Sequence, residues 1–331
     1  MWLDVRAGRS PRAAVWSTVV LTVALHAIVA STHAARPAPT TRPSERATDG
    51  PRRARTPRSA GSSSTTSTTT SSRATSGRSA RRQSLRAIPL HRLSGEDLEK
   101  VRFVLSHTTI YRRMPTKVID CDPRLFTFLA RHPEVIVNIW EVLGISNVAL
   151  ERTAERTFRA SDGHGTLGQV EIISDERNRQ LIYAEGTYEG PMFKLPVRAR
   201  CVMLMRSSFA PGDDGRHYVT AQLEGFIHID GAAADLLLRT FQPLVGRTAD
   251  YNFTETMAFV GNLSRTTERN PLGVERLYRR LNKVEPETRR RLVEISRNLA
   301  TRSAPIQPTG VLEIARQQDP RHLVERVSVG Q

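Results

Sequence analysis

VRARCVMLMR, residues Val197–Arg206, alternates with a period of two. Val197, Ala199, Cys201, Met203 and Met205 fall on one face; Arg198, Arg200 and Arg206 fall on the other, beside Val202 and Leu204. Successive side chains of a strand point to opposite sides, so the stretch predicts a β-strand with one apolar face. HYVTAQLEGFIHI, His217–Ile229, repeats the pattern. Val219, Ala221, Leu223, Gly225, Ile227 and Ile229 share one face; Tyr218, Thr220, Gln222, Glu224, Phe226 and His228 share the other. The first face needs a cover and the second reads as a solvent-facing ladder.

The neighbouring sequence extends this into a sheet. Turn signals at Ser161–Gly165, Ser174–Asn178, Gly190–Pro191 and Pro211–Gly215 divide residues 147–230 into short runs. Close spacing of such signals predicts an antiparallel sheet of about 5–6 strands joined by hairpins. A short extended piece, Thr116–Cys121, precedes it. Before the sheet, Ser94 with Glu96 and Asp97 marks a helix start, and Asp122-Pro123 marks another. His132-Pro133 interrupts that second helix. Val135, Ile136, Ile139, Trp140 and Leu143 then continue at helical spacing until Gly144.

After Gly231 the period is helical again. Leu236, Leu237, Phe241, Leu244 and Val245 form one stripe, and Phe253, Met257, Val260 and Leu263 form a second. Gly246 between them and Asp250 as a cap predict two helices. Asn270-Pro271 and Glu285-Pro286 begin two more. These signals predict one α+β domain over 93–303: a curved antiparallel sheet packed on long C-terminal helices. A loose tail follows over 304–331.

The N-terminus is of another kind. Arg6, Arg9 and Arg12 precede an apolar run from Ala13 to Ala30, and small residues follow at Thr32–Ala35. A positive start, an apolar run and a small-x-small site predict a signal peptide or membrane anchor over 1–35, with the remainder of the chain exported. Residues 36–92 are rich in Ser, Thr, Pro and Arg and hold an unbroken Ser/Thr run, Ser62–Ser72. Such a segment buries too little apolar surface to offset its conformational entropy, which predicts a disordered tether.

The chain carries +16, but thirteen arginines against Glu45 and Asp49 give the tether +11 of that, and residues 93–331 keep only +3. A nucleic-acid-binding domain would carry its own basic footprint, so none is expected here. The basic tether either contacts anionic lipid head groups or an acidic envelope polymer, or is a plain solvated linker whose arginines reflect base composition.

The order of elements over about 116–265 resembles the helix-grip fold of START-type and polyketide-cyclase-like domains. That resemblance implies a curved sheet around a long C-terminal helix, with a cavity between them. HPEVIVNIWEVLGIS (His132–Ser146) and PLVGRTADYNF (Pro243–Phe253) also resemble an uncharacterised family of exported bacterial proteins, from which no functional residue carries over.

Signatures of catalysis are missing from the sequence. There is no nucleophile elbow, phosphate loop, dinucleotide fingerprint or Cys/His spacing for zinc, so no metal or cofactor is expected. Glu224 and His228 share a strand face and form a candidate polar pair. Gly212–Gly215 reads as a hairpin turn rather than a calcium loop. Cys121 and Cys201 are either a disulfide, as export permits, or two buried thiols.

Trp140, Cys201, Met203, Met205, Phe241 and Met257 are candidates for the lining of an apolar pocket, against the plain alternative that they are core. The functional expectation is a non-enzymatic binder of an apolar small molecule or lipid in the cell envelope. A tethered structural or protein-interaction module is the alternative, and an enzyme with an unrecognised site comes third.

Overall fold

The computed structural model describes residues 73–303 except Arg177, Met192–Lys194 and Ala232, and the side chains of 233–245, 302 and 303 are outside that description. The signal or anchor, the tether up to residue 72, the C-terminal tail and the side chain of Phe241 lie outside the described residues.

A helix α1 (Arg78–Ala87) and a 3-10 turn (Leu90–Arg92) lead into α2 (Gly95–Ser106). Strands β1 (Ile110–Arg113) and β2 (Lys117–Asp120) follow, then α3 (Pro123–Arg131) and α4 (Pro133–Val142). Six strands come next: β3 (Ala149–Ala154), β4 (Thr157–Ser161), β5 (Thr166–Glu176), β6 (Arg179–Tyr188), β7 (Val197–Pro211) and β8 (His217–Ile229). The described chain ends in α5 (Ala233–Arg269), α6 (Pro271–Arg279) and α7 (Pro286–Ser303).

The local signals act as chemistry requires. The Asp122 carboxylate accepts from the backbone N–H groups of Arg124 and Leu125 at 2.8 and 3.1 Å, with Pro123 at the first helical position. Gly144, at φ 68, closes α4 in the left-handed region that a side chain disfavours. Asn270 caps α6 through Gly273 N–H at 3.0 Å. Ser94 holds the cap position of α2, but its side chain makes no capping bond.

All eight described strands join one open antiparallel sheet, in the order β1-β8-β7-β6-β5-β4-β3, with β2 also on β8. β1 and β2 are two halves of one edge. Arg113 stands opposite Glu224, and Lys117 stands opposite Ala221, so Met114–Thr116 bridges the halves with one residue of slippage around Pro115. The sheet therefore has more strands than the hairpin spacing implies, because its first strand returns to pair with its last.

Each face of the sheet has its own core. The inner face carries the side of β7 that holds Val197, Ala199, Cys201 and Met203, and it packs on α3, α4, α5, α6 and α7. The outer face carries Tyr111, Leu181, Tyr183, Val202, Leu204 and Phe226 beneath α1 and α2. The outer face is thus not the open ladder expected from its mixed composition. The cover comes partly from residues 78–92, within the stretch expected to be disordered.

That cover is held by polar bonds as much as by apolar contact. Ser84 and Tyr111 hydroxyls meet at 2.8 Å, Arg113 donates to the Ala80 carbonyl at 3.0 Å, and Arg179 donates to the Ala87 carbonyl at 2.9 Å. Among the described residues the fold accordingly reaches back to Thr75, whose backbone pairs with Arg113.

A second expectation also changes. Gly246 does not separate two helices; α5 runs unbroken for 37 residues. A Cβ at Gly246 would lie 3.4 Å from the Arg112 guanidinium, so the glycine gives Arg112 room to reach Asp250, to which its Nε donates at 3.0 Å. Asp250 is an ion-pair partner inside the helix rather than a cap.

Candidate functional site

α5 begins beside the end of β8 and crosses the inner face toward β2, where Gly261 passes close to Ile119 and the Asp120 carbonyl. The register of the sheet orders what lies beneath it. One row across the strands reads Phe158, Val170, Ala184, Cys201 and Ile227, and all five are buried. The next row toward the Gly231 end reads Ala160, Gly168, Gly186, Ala199 and Ile229. Four small residues on four neighbouring strands span roughly 14 Å at about 4.8 Å per strand. Along this row the sheet contributes almost no side-chain volume of its own. The opposite end is filled, for Phe253, Met257, Val260 and Leu263 of α5 are buried in the inner core.

Cys201, Met203 and Met257 lie in this core, and Met205 packs against it half-buried. Trp140 is also buried there and meets Phe259 of α5 edge-on, with ring centroids 5.6 Å apart. The structure therefore brings these residues together as one apolar layer, the plain alternative that the sequence left open. Gly168 and Gly186, which shape the sheet beside Cys201, are the contribution that the sequence reading missed. Their signal was two glycines inside strand runs, each marking a close approach or a missing side chain.

The candidate polar pair does not form. Glu224 accepts from Arg113 Nε at 2.6 Å and from an Arg206 terminal nitrogen at 2.7 Å, with no exposed surface. His228 lies four residues along the strand. Its Nδ1 faces the His107 carbonyl at 2.8 Å and its Nε2 faces Asp230 at 2.9 Å. Residues i and i+4 of a strand are roughly 13 Å apart, beyond the reach of a direct bond.

Cys121 and Cys201 are free and buried, which removes the disulfide alternative. Burial pushes both thiols up to about 12, so neither is a thiolate nucleophile at neutral pH. Asp120 is engaged by Arg216 at 2.6 Å, and Asp122 by its helix cap. The Gly212–Gly215 segment is the expected turn, closed by Asp214, which accepts from Arg216 N–H and the Tyr218 hydroxyl. Among the described residues no group of three or more His, Cys, Asp or Glu is arranged to hold a metal.

Two of the surface clefts among the described residues flank this region, and the lining of the first includes Phe158, Gly168, Gly186 and Ala199 of these rows. The first, of about 750 Å³, is a shallow basin on the outer side of β4–β7, with Arg159, Leu167, Glu185, Arg198 and Arg200 around it. The other, of about 960 Å³, runs between α3 and α7. His132 at its rim stacks on Phe128 with centroids 4.4 Å apart. Arg152 donates to His132 Nδ1 at 3.1 Å and to the buried Glu134 at 3.0 Å. Trp140, Cys201, Met203, Met205 and Met257 line neither cleft.

No protein-family model matches the chain, and no curated protein matches it. Solved structures with some similarity are themselves uncharacterised. A conserved protein from Geobacillus kaustophilus is 8% identical, with a TM-score of 0.34 over 44% of this chain and 93% of its own. A hypothetical protein from Helicobacter pylori is 12% identical, with a TM-score of 0.30 over 44% of this chain and 84% of its own. An uncharacterised protein from Rhizobium leguminosarum is 13% identical, with a TM-score of 0.25 over 44% of this chain and 97% of its own.

Proposed function

We propose that this chain is a non-enzymatic binding domain for an apolar small molecule or lipid, held between the inner sheet face and the start of α5. The observation that carries this reading is the row of small residues, Ala160, Gly168, Gly186 and Ala199, at the end of the sheet where α5 begins. A ligand pocket needs concave apolar surface that the protein's own side chains do not fill. Cys201, Met203 and Ile227 supply apolar wall beside the row, and methionine adapts to irregular ligand shapes.

The strand order supports the same reading. The first strands lie beside the last, two helices are inserted after them, a meander follows, and a long helix crosses the inner face. That is the order of the helix-grip domains this chain resembles, in which the ligand sits between sheet and helix. The N-terminal apolar run and its basic tether fit presentation of the domain outside the cytoplasm.

Native mass spectrometry of the full chain, extracted from its own host, tests the proposal. A lipid-sized apolar adduct is expected, and it should be lost in Gly186→Leu and Ala199→Phe, which fill the row. Protein that is folded and carries no adduct would count against the reading.

A further inference from the structure

We propose that the outer face of the sheet, at the end nearest Gly231, docks on a bilayer surface that carries anionic lipid. The inference does not depend on a ligand within the inner face.

α1 and α2 cover only part of the outer face. Beyond them, on β4 and β7, Arg159 and Arg198 are exposed and have no ion pair among the described residues. Their neighbours are already committed. Arg200 lies over the Phe103 ring at 4.9 Å and 3.4 Å from Asp230. Glu185 stands opposite Arg200, but its carboxylate takes the Tyr183 hydroxyl at 2.8 Å. Glu151 stands opposite Arg159 and Glu185 keeps its charge, so the basin sets three guanidinium groups against two carboxylates and stays net positive, with Arg198 the least compensated. At the same end of the sheet Leu167 is 63% exposed and Leu195 is 77% exposed.

This combination selects among partners. An acidic protein segment would satisfy the arginines and leave the leucines in water. An apolar protein groove would cover the leucines and strand the arginines. A bilayer interface offers phosphate to the guanidinium forks and acyl chain to the leucines within one thin layer. Each cation near an anionic leaflet also gains from the surface potential.

A reporter at the surface itself separates this contact from any made by the tether. The full chain carrying Leu167→Cys would be labelled there with nitrobenzoxadiazole, since both native thiols are buried. It would then be placed in vesicles through its N-terminal segment. In vesicles containing phosphatidylglycerol, the label should shift to the blue and be quenched by spin-labelled lipid. In phosphatidylcholine alone it should stay in water.

Arg159→Glu with Arg198→Glu should reduce the contact roughly tenfold or more, as reversal of two interfacial charges implies. Arg290→Glu with Arg291→Glu, an equal charge change on α7, should leave it within about twofold. A label that stays in water on phosphatidylglycerol, or responds equally on both lipids, overturns the proposal. So does a response to soluble polyglutamate without one to vesicles, which would assign the surface to an acidic protein segment. The labelled chain alone decides the question, whatever the arginine variants do to folding.

Discussion

A carboxylate with no exposed surface has to be held by donors, and Glu224 is held by Arg113 and Arg206. Removing Glu224 strands the Arg113 guanidinium, which is largely buried, while Arg206 is 40% exposed and keeps its water. The cost falls at or below the low end of the range of about 3–5 kcal/mol for a fully buried pair. Glu224→Ala should therefore lower the unfolding free energy measured in urea by about 2–3 kcal/mol. Glu224→Leu with Arg113→Met should recover much of it, since an apolar replacement leaves no charge behind.

The cysteines offer a separate test. Burial raises the Cys201 thiol from 9.0 to about 12 and does the same to Cys121. Their contribution to stability is complete below pH 9, where folded and unfolded thiols are both protonated. It is lost as pH climbs from about 9 toward 12, because only the unfolded thiols ionise there. In denaturant titrations the stability advantage of wild type over Cys201→Ala should narrow across that window. A gap that stayed constant would mean that the thiol is not shielded.

Alternation in the sequence placed Cys201 on the inner face correctly. It also put Glu224 on the opposite face correctly, but what covers that face comes from residues more than a hundred positions away, which a strand pattern does not report.

At the scale of elements, α1 is the least legible part of the fold. RSARRQSLRA buries only Ala80 and Ser84, so it lacks the apolar stripe by which a helix announces a core contact. It attaches through Ser84, through carbonyls that accept from Arg113 and Arg179, and through the bridge at Thr75. The elements with apolar stripes or caps, α3, α4, α6 and the hairpin strands, were readable because local chemistry specifies them.

α5 was read as two helices because a glycine usually marks a break; here it makes room for Arg112. A chain begun at Ser94, where composition alone places the domain boundary, should expose Tyr111, Val202 and Phe226. It should bind a hydrophobic dye and melt well below a chain begun at Arg73. Equal melting of the two would show that α1 contributes nothing.

The hairpin between β4 and β5 offers a sharper backbone test. Gly165 has φ 105, and a Cβ there would lie 2.4 Å from the Glu189 carbonyl oxygen. Gly165→Ala should cost on the order of 2 kcal/mol or more in the same titrations, because both the dihedral and the contact are forbidden.

For the whole molecule, the decisive feature is that two cores share one sheet. Met203 and Leu204 are neighbours on β7, yet Met203 is buried in the inner core and Leu204 in the outer one. Cutting either to alanine removes apolar contact and leaves a cavity, at a cost of about 2–5 kcal/mol. If α1 and α2 were a loosely added cap, Leu204→Ala would loosen them and leave the inner face untouched.

The bonding argues otherwise. The buried Glu224 on β8 is clamped by Arg113 on β1 and Arg206 on β7, and Arg113 also donates to α1, so the outer cover is tied to the strands that carry the inner core. Packed layers that share strands open together rather than singly. Both substitutions should therefore speed amide exchange by the same factor in α2, Gly95–Ser106, and in α4, Pro133–Val142, on opposite sides of the sheet. Hydrogen-exchange mass spectrometry of peptides from those helices reads the two factors directly. Faster exchange in α2 with none in α4 for Leu204→Ala would show two separable units, and the outer helices would then be free to leave the sheet while the inner face stays closed.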